Sequence, residues 1–164
     1  MAAALMAKHL DADLDIHLFD TFEGMPPPTE RDAFIHSKRP VLGHNDGVPW
    51  TRCDESTVRN NMLKTGYNAL YFHRGMVETT IPGQAPARIS VLRLDTDWYE
   101  STRHELIHLW PRLSPGGVLI VDDYGQFTGA RDAVDEYFSD DPIFLFRIDA
   151  DRRMAVKPFD NPAS

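Results

Sequence analysis

The segment HELIH, residues 104–108, has the HExxH spacing of many zinc peptidases. On a helix over residues 99–113, at about 100° per residue, one apolar face would pack on a sheet. That face holds Leu106, Leu109, Trp110 and Leu113. The two histidines lie almost opposite it, and no histidine follows His108 to complete a catalytic site of three protein ligands. We therefore interpret HELIH as a chance match on a helix, with its histidines facing solvent.

Two pairs of aspartates are stronger candidates for chemistry. Asp95 and Asp97 follow one apolar strand in LRLDTDWYES, and Asp122 and Asp123 follow the next in LIVDDYG. A single crossover helix joins these strands, so both acidic ends should meet at one edge of a sheet. Carboxylates gathered there repel one another unless a cation such as Mg²⁺ lies among them. The alternative is that each pair only caps a helix. A DxD glycosyltransferase is a rival reading of DTD, but such folds need a longer chain.

A third acidic residue, Asp20, ends the apolar segment IHLFD. In Rossmann-like folds, an acidic residue at the end of a second strand accepts hydrogen bonds from ribose hydroxyls. A capping or turn role for Asp20 is an equally good interpretation of this residue taken alone.

Strands alternate with helices along the chain, which predicts an α/β layered domain with a mainly parallel sheet. We expect helices near residues 2–11, 54–66, 99–113 and 128–140, with Thr128 as the cap of the last one. Strands should end at Asp20, Gly75, Asp95 and Asp123, and a hairpin should turn around residues 149–152. A long segment rich in Pro and Gly, residues 24–50, has no period and is predicted to be a functional or mobile loop. The whole chain, residues 1–164, is predicted to form one domain.

Composition narrows the class of protein. The net charge of −8 argues against a nucleic-acid partner. The single cysteine, Cys53, excludes an internal disulfide and a Cys-rich zinc site, so we expect a cytoplasmic setting. No apolar run approaches the roughly 20 residues of a membrane helix.

Four segments resemble the macrocin O-methyltransferase family in order and spacing, over about residues 2–140. They are LFDTFEGMPPPTERD, RGMVETTIP, LRLDTDWYESTRHELIHLWPRLSPGGVLIVDDY and ARDAVDEYF. The resemblance implies a Rossmann-like class I methyltransferase sheet with helices on both faces and a C-terminal antiparallel hairpin. It implies that S-adenosylmethionine and Mg²⁺ are the cofactors. The reaction would be the methylation of a hydroxyl on a small molecule, such as a glycosylated natural product in antibiotic biosynthesis.

The resemblance also implies roles for individual residues. Asp95, Asp122 and Asp123 would ligate Mg²⁺, and Asp95 would also take the proton of the substrate hydroxyl. The residues that would bind S-adenosylmethionine are Asp20, Thr21, Phe22, Gly75, Met76 and Val77. The loop over residues 24–50 would cover the substrate, and the family also allows a homo-oligomer.

One departure from the family concerns the Gly-rich turn after the first strand. No GxGxG segment occurs in the 164 residues, and the chain begins inside the helix that should follow this turn. We therefore expect an N-terminally truncated domain that lacks the first strand and its Gly-rich loop, with Met1 an internal methionine or the start of a genuine truncation. A catalytically inactive remnant or binding module of the family is the alternative function.

Overall fold

The computed structural model describes residues 1–39, 41 and 52–159. These residues fall into two compact units. Unit 1 holds the described residues of 1–26 and 46–84, and unit 2 holds those of 27–45 and 85–164. The expectation of one domain over residues 1–164 stays a prediction.

Unit 1 contains three helices and a parallel strand pair. Its elements are α1 (Ala2–His9), β1 (Ile16–Asp20), α2 (Glu55–Leu63), β2 (Leu70–Arg74) and α3 (Val77–Thr80). Strands β1 and β2 are parallel, with Asp20 opposite Arg74, so both strands end at the same edge of the sheet. Helix α2 begins after Asp54 because its carboxylate accepts the Thr57 N–H at 3.1 Å.

Unit 2 contains a four-stranded sheet and two helices. Its elements are β3 (Ile89–Leu94), α4 (Tyr99–Leu109), β4 (Leu113–Val121), α5 (Thr128–Tyr137), β5 (Phe146–Arg147) and β6 (Arg153–Val156). The strand order is β3-β4-β6-β5, with β3 and β4 parallel and the other two pairings antiparallel. The core is apolar and includes Leu94, Leu106, Leu113, Leu119, Val121 and Val134. The β3-α4-β4 crossover and the C-terminal hairpin predicted from the sequence are confirmed.

Two local predictions are wrong. The helix predicted over residues 99–113 ends at Leu109, and Trp110–Arg112 form a 3₁₀ turn before Leu113 enters β4. Pro111 contributes to this early end because its ring and missing N–H disfavour an α-helical continuation. Thr128 does not cap α5, since no side-chain hydrogen bond caps that helix and Phe127 holds the cap position. Instead the Thr128 hydroxyl donates to the Arg31 carbonyl at 2.6 Å.

Residues 27–39 lie against α4 and α5 within unit 2. Asp32 is 1% exposed, and its carboxylate accepts the Tyr99 N–H at 2.9 Å and the Thr29 N–H at 2.7 Å. The carboxylate therefore caps the N-terminus of α4 from a different segment of the chain. Phe34 forms an isolated antiparallel bridge with Phe127. The predicted loop over residues 24–50 is thus ordered by these contacts in its first part, whereas residues 40 and 42–50 lie outside the described residues.

Among the described residues, no helix is long and apolar enough to span a membrane.

Candidate metal and cofactor sites

Three carboxylates meet beyond the ends of β3 and β4. The two strands run in parallel with Leu94 opposite Val121, so the residues that follow them emerge side by side. One oxygen each from Asp95, Asp97 and Asp123 lies within 4.8 Å of the others. The Oδ2 atom of Asp123 is buried and has no hydrogen-bond partner among the described residues. A buried carboxylate oxygen without a partner is costly, which indicates a ligand that it is built to meet.

The electrostatics of this cluster are those of negative charges forced together. Burial comes first among the causes that raise the pKa of Asp95 to about 7, followed by a hydrogen bond with Asp122, while Arg93 opposes the shift. Burial, followed by the close approach and the charge of the Asp123 carboxyl group, raises the pKa of Asp97 to about 9. Without a cation, these carboxyl groups cannot all ionise near neutral pH.

Asp122 lies beside the cluster in a different environment. Arg152 Nε contacts its Oδ1 at 2.6 Å, and Arg93 Nη2 contacts its Oδ2 at 3.0 Å. Burial alone would raise the pKa of Asp122, but hydrogen bonds from Arg152, Asp95 and Arg93 outweigh burial and lower it. Asp122 is therefore held as a carboxylate by two arginines. The same Arg93 reaches Asp95 Oδ2 at 2.7 Å, so it links the ends of β3 and β4.

The donor set fits a hard divalent cation. All the converging atoms are carboxylate oxygens, the ligands that Mg²⁺ prefers, and three of them leave positions for water and substrate. The predicted ligand set was Asp95, Asp122 and Asp123. In the structure, Asp97 lies next to Asp95 and Asp123, whereas Asp122 forms ion pairs with two arginines. The assignment of the ligands stays a prediction, with Asp97 as a further candidate that the DxD spacing already signalled.

HELIH contributes no metal site among the described residues. The rings of His104 and His108 have centroids 4.5 Å apart, and both residues are half-buried rather than fully exposed as expected. Glu105 is buried, with 5% exposure, and its Oε2 accepts a hydrogen bond from Thr96 Oγ1 at 2.8 Å. A zinc peptidase needs this glutamate at an open metal site, so the interpretation of HELIH as a chance match is supported.

The six predicted cofactor-binding residues come together in unit 1, at the carboxyl ends of β1 and β2. The Gly75 N–H donates to the Asp20 carbonyl at 3.0 Å, and the Phe22 N–H donates to Asp20 Oδ1 at 2.7 Å. A carboxylate can accept further hydrogen bonds at its remaining lone pairs, as a ribose diol would require. Thr21 Oγ1 donates to the Gly24 carbonyl at 2.7 Å, which closes the turn after β1.

The turn after β2 is shaped by Gly75. Its φ of +141° is open to glycine, and a Cβ there would lie 3.0 Å from Thr80 Cγ2. Met76 follows as the cap residue of α3 and is 43% exposed, whereas Val77 is buried. The turn after β2 therefore places the Gly75 backbone and the exposed Met76 side chain near the end of β1, where Asp20 lies. An adenosine group would need such contacts.

An open cleft of about 640 Å³ also lies in unit 1. Its walls combine one aromatic residue with charged and polar side chains: Phe22, Glu23, Arg52, Asp54, Glu55, Ser56, Arg59 and Arg74. Of the six predicted cofactor residues, Phe22 alone lines this cleft. No sequence motif indicated its three arginines, because they are far apart in the chain: Arg52 precedes α2, Arg59 lies on α2 and Arg74 ends β2.

Comparison with known proteins agrees with this architecture. The model of the macrocin O-methyltransferase (TylF) family matches residues 1–152. A tetracenomycin 4'-O-methyltransferase from Streptomyces olivaceus, which acts on a dimethoxy-rhamnosyl compound by its name, is 36% identical over 140 residues, or 82% of this chain and 51% of the relative. Demethyldecarbamoylnovobiocin O-methyltransferase from Streptomyces niveus is 34% identical over 137 residues, or 81% of this chain and 50% of the relative. The chain thus spans about half the length of the curated relatives it matches.

Solved structures extend the comparison to the fold. The O-methyltransferase NovP superposes with a TM-score of 0.81 at 30% identity, covering 96% of this chain and 67% of its own. The calicheamicin methyltransferase CalS11 has a TM-score of 0.71 at 17% identity, covering 94% of this chain and 65% of its own, and supports the fold alone. The matches confirm the expected fold class, and the chain belongs to the macrocin O-methyltransferase (TylF) family, with its Rossmann-like α/β fold.

Proposed function

We propose that this chain carries the cofactor-binding and metal-binding residues of an S-adenosylmethionine-dependent, Mg²⁺-assisted O-methyltransferase. Its acceptor would be a hydroxyl on a small molecule, a sugar or related natural product, as the names of its relatives indicate. The observation that carries the proposal is the convergence of Asp95, Asp97 and Asp123 on one point with a buried, unpartnered Asp123 oxygen. Structural ion pairs do not explain such an arrangement, because they satisfy their charges.

The roles of the residues follow from their chemistry. When bound, S-adenosylmethionine supplies the methyl group, and Mg²⁺ lowers the pKa of the hydroxyl that it contacts. Asp95, Asp122 and Asp123 are the proposed ligands, with Asp97 as an additional one. Asp95 is also the proposed acceptor of the hydroxyl proton at its carboxylate.

In unit 1, the proposed cofactor residues bind and orient without acting on the reacting bond. The Asp20 carboxylate would accept the ribose hydroxyls, supported by the turn through Thr21 and Phe22. Gly75, Met76 and Val77 would contact the adenine, since Gly75 allows close approach of the backbone. Fixing the two reactants in line is the largest contribution that such binding residues make to the rate of methyl transfer.

The test is calorimetric titration of the purified chain with S-adenosylhomocysteine and, separately, with Mg²⁺. Saturable binding of both is expected. D20A should weaken S-adenosylhomocysteine binding about tenfold or more, because it removes the acceptor for the ribose hydroxyls. D123N should weaken Mg²⁺ binding about tenfold or more, because it removes a charged ligand.

Matched controls are D13N and D140N, which alter exposed aspartates. A folded chain that binds neither ligand would overturn the proposal and favour an inactive remnant of the family. Binding of a nucleotide sugar in place of S-adenosylhomocysteine would favour the glycosyltransferase interpretation of DTD.

A further inference from the structure

Glu105, the glutamate of HELIH, contacts the DTD turn at residues 95–97. Glu105 is 5% exposed, and its Oε2 accepts the hydroxyl of Thr96, the central residue of DTD, at 2.8 Å. Thr102, one turn earlier on α4 and 1% exposed, places its Oγ1 3.5 Å from the same Thr96 hydroxyl. A polar layer on α4 therefore faces the segment between the two proposed ligands Asp95 and Asp97.

The backbone of this segment adopts a conformation that needs support. Asp97 has a φ of +65°, and the Trp98 N–H donates to the Thr96 carbonyl at 2.7 Å, the i to i+2 pattern of a γ-turn. A residue with a side chain at positive φ costs on the order of 1–3 kcal/mol and persists where surrounding contacts determine it. The Thr96 side chain provides such a contact, since its hydroxyl is fixed by Glu105.

Burial of a glutamate side chain such as that of Glu105 has a cost. An ionisable group removed from water destabilises the fold unless its hydrogen bonds are made, and an apolar residue would fill the same position at less cost. A specific positional role accounts for an ionisable residue at this buried place.

We propose that Glu105 is a positioning residue of the cation site. Through its hydrogen bond with Thr96 it fixes the turn that carries Asp95 and Asp97, so that their carboxylates approach Asp123. The inference rests on the proposed function, because the cation is the one assigned there. It assigns a role to the glutamate of HELIH that does not depend on zinc.

The first test measures the turn itself, without any metal. Hydrogen exchange of the Trp98 amide, followed by NMR, reports the turn, and exchange of the Leu119 amide in β4 reports the core. E105L should speed exchange at Trp98 about tenfold or more and leave Leu119 unchanged. E105Q retains an acceptor for Thr96 and should restore slow exchange. Unchanged exchange at Trp98 in E105L would overturn the inference.

The second test titrates the chain with Mn²⁺ alone, followed by electron paramagnetic resonance. E105L should weaken Mn²⁺ binding about tenfold or more, because partners of metal ligands typically contribute that much. E105Q should stay within about threefold of the wild type, since the hydrogen bond persists. E100Q is the matched control, because it removes an exposed carboxylate from the same helix and should leave binding unchanged.

Thr96 provides a variant that leaves the Glu105 side chain in place. T96V removes the hydroxyl donor and should weaken Mn²⁺ binding as much as E105L does. If E105L does not fold, T96V alone provides the test. The double variant E105L/T96V should bind Mn²⁺ as tightly as either single variant, because both substitutions remove the same hydrogen bond. Additive losses would overturn the inference. A wild-type chain that binds no Mn²⁺ would instead refute the cation site of the proposed function, while the exchange result still decides the role of Glu105.

Discussion

We predict that removing the Asp32 carboxylate strongly destabilises the fold of unit 2. Its carboxylate, 1% exposed, accepts the Tyr99 N–H at 2.9 Å, the Thr29 N–H at 2.7 Å and the Thr29 hydroxyl at 2.9 Å. D32A leaves all three donors without their acceptor. The change removes the cap of α4 and the attachment of residues 27–39 to it at once.

The magnitude follows from the exposure of each donor. Tyr99 is 5% exposed, so its amide cannot reach water, and an unsatisfied buried donor costs about 1–3 kcal/mol. The two Thr29 donors are only partly buried and together add roughly 1 kcal/mol. We therefore expect D32A to lower the free energy of unfolding by about 2–4 kcal/mol. At about 2–4 °C per kcal/mol for a chain of this size, Tm should fall by about 4–16 °C.

The assay is thermal and urea unfolding followed by circular dichroism, with D32N and D140A alongside. D32N keeps one carbonyl oxygen for the Tyr99 N–H but turns an amide toward Thr29, so its stability should lie between those of the wild type and D32A. D140A alters an exposed residue and should stay within about 0.5 kcal/mol of the wild type. A D32A protein as stable as D140A would refute this reasoning about the anchor.

Three other perturbations have definite expected outcomes. G129A should destabilise the chain although alanine favours helices, because its Cβ would lie 2.0 Å from Asp32 Oδ1. In the D32A background, unfolding measurements should show that G129A lowers the free energy of unfolding by less. G75A should weaken S-adenosylhomocysteine binding in calorimetry, since φ is +141° and Cβ would lie 3.0 Å from Thr80 Cγ2, and unaltered affinity would contradict the proposed adenine contact. Burial lowers the pKa of His17 below its ordinary 6.5, so the unfolded chain takes up the proton first. Stability should therefore fall as the pH drops through about 6.5, and H17Q should reduce the difference in Tm between pH 8 and pH 5.5; an equal difference in H17Q would contradict this.

Local periodicity along the chain was enough to predict which residues end the parallel strands. Alternation of apolar strands with one crossover helix placed Asp95 and Asp123 at one sheet edge, and the structure shows their oxygens within 4.8 Å of each other. Asp20 and Gly75 were likewise predicted as strand ends, and the structure brings them together beyond β1 and β2. These outcomes depend on local periodicity and on the handedness of crossovers, both of which a single sequence expresses.

The directions of the side chains beyond the strand ends depend on contacts between distant parts of the chain. Asp122 is held by Arg93 and by Arg152, which lies thirty residues away on the C-terminal hairpin. Asp97 takes a place in the cluster instead, with its backbone at a positive φ. Periodicity contains no information on such contacts, because they depend on which charged groups distant elements bring within reach.

The burial of Glu105 was likewise hidden from the sequence. Ser101, Thr102 and Glu105 are buried on α4, although polar residues at this spacing usually indicate a face in contact with water. A hydrogen-bonding partner makes burial of a polar group acceptable, and one such partner of Glu105 is Thr96, which precedes the helix in a turn. The helical pattern therefore fixed the apolar face of α4, whereas the fold around the DTD turn decided which of its polar residues are buried.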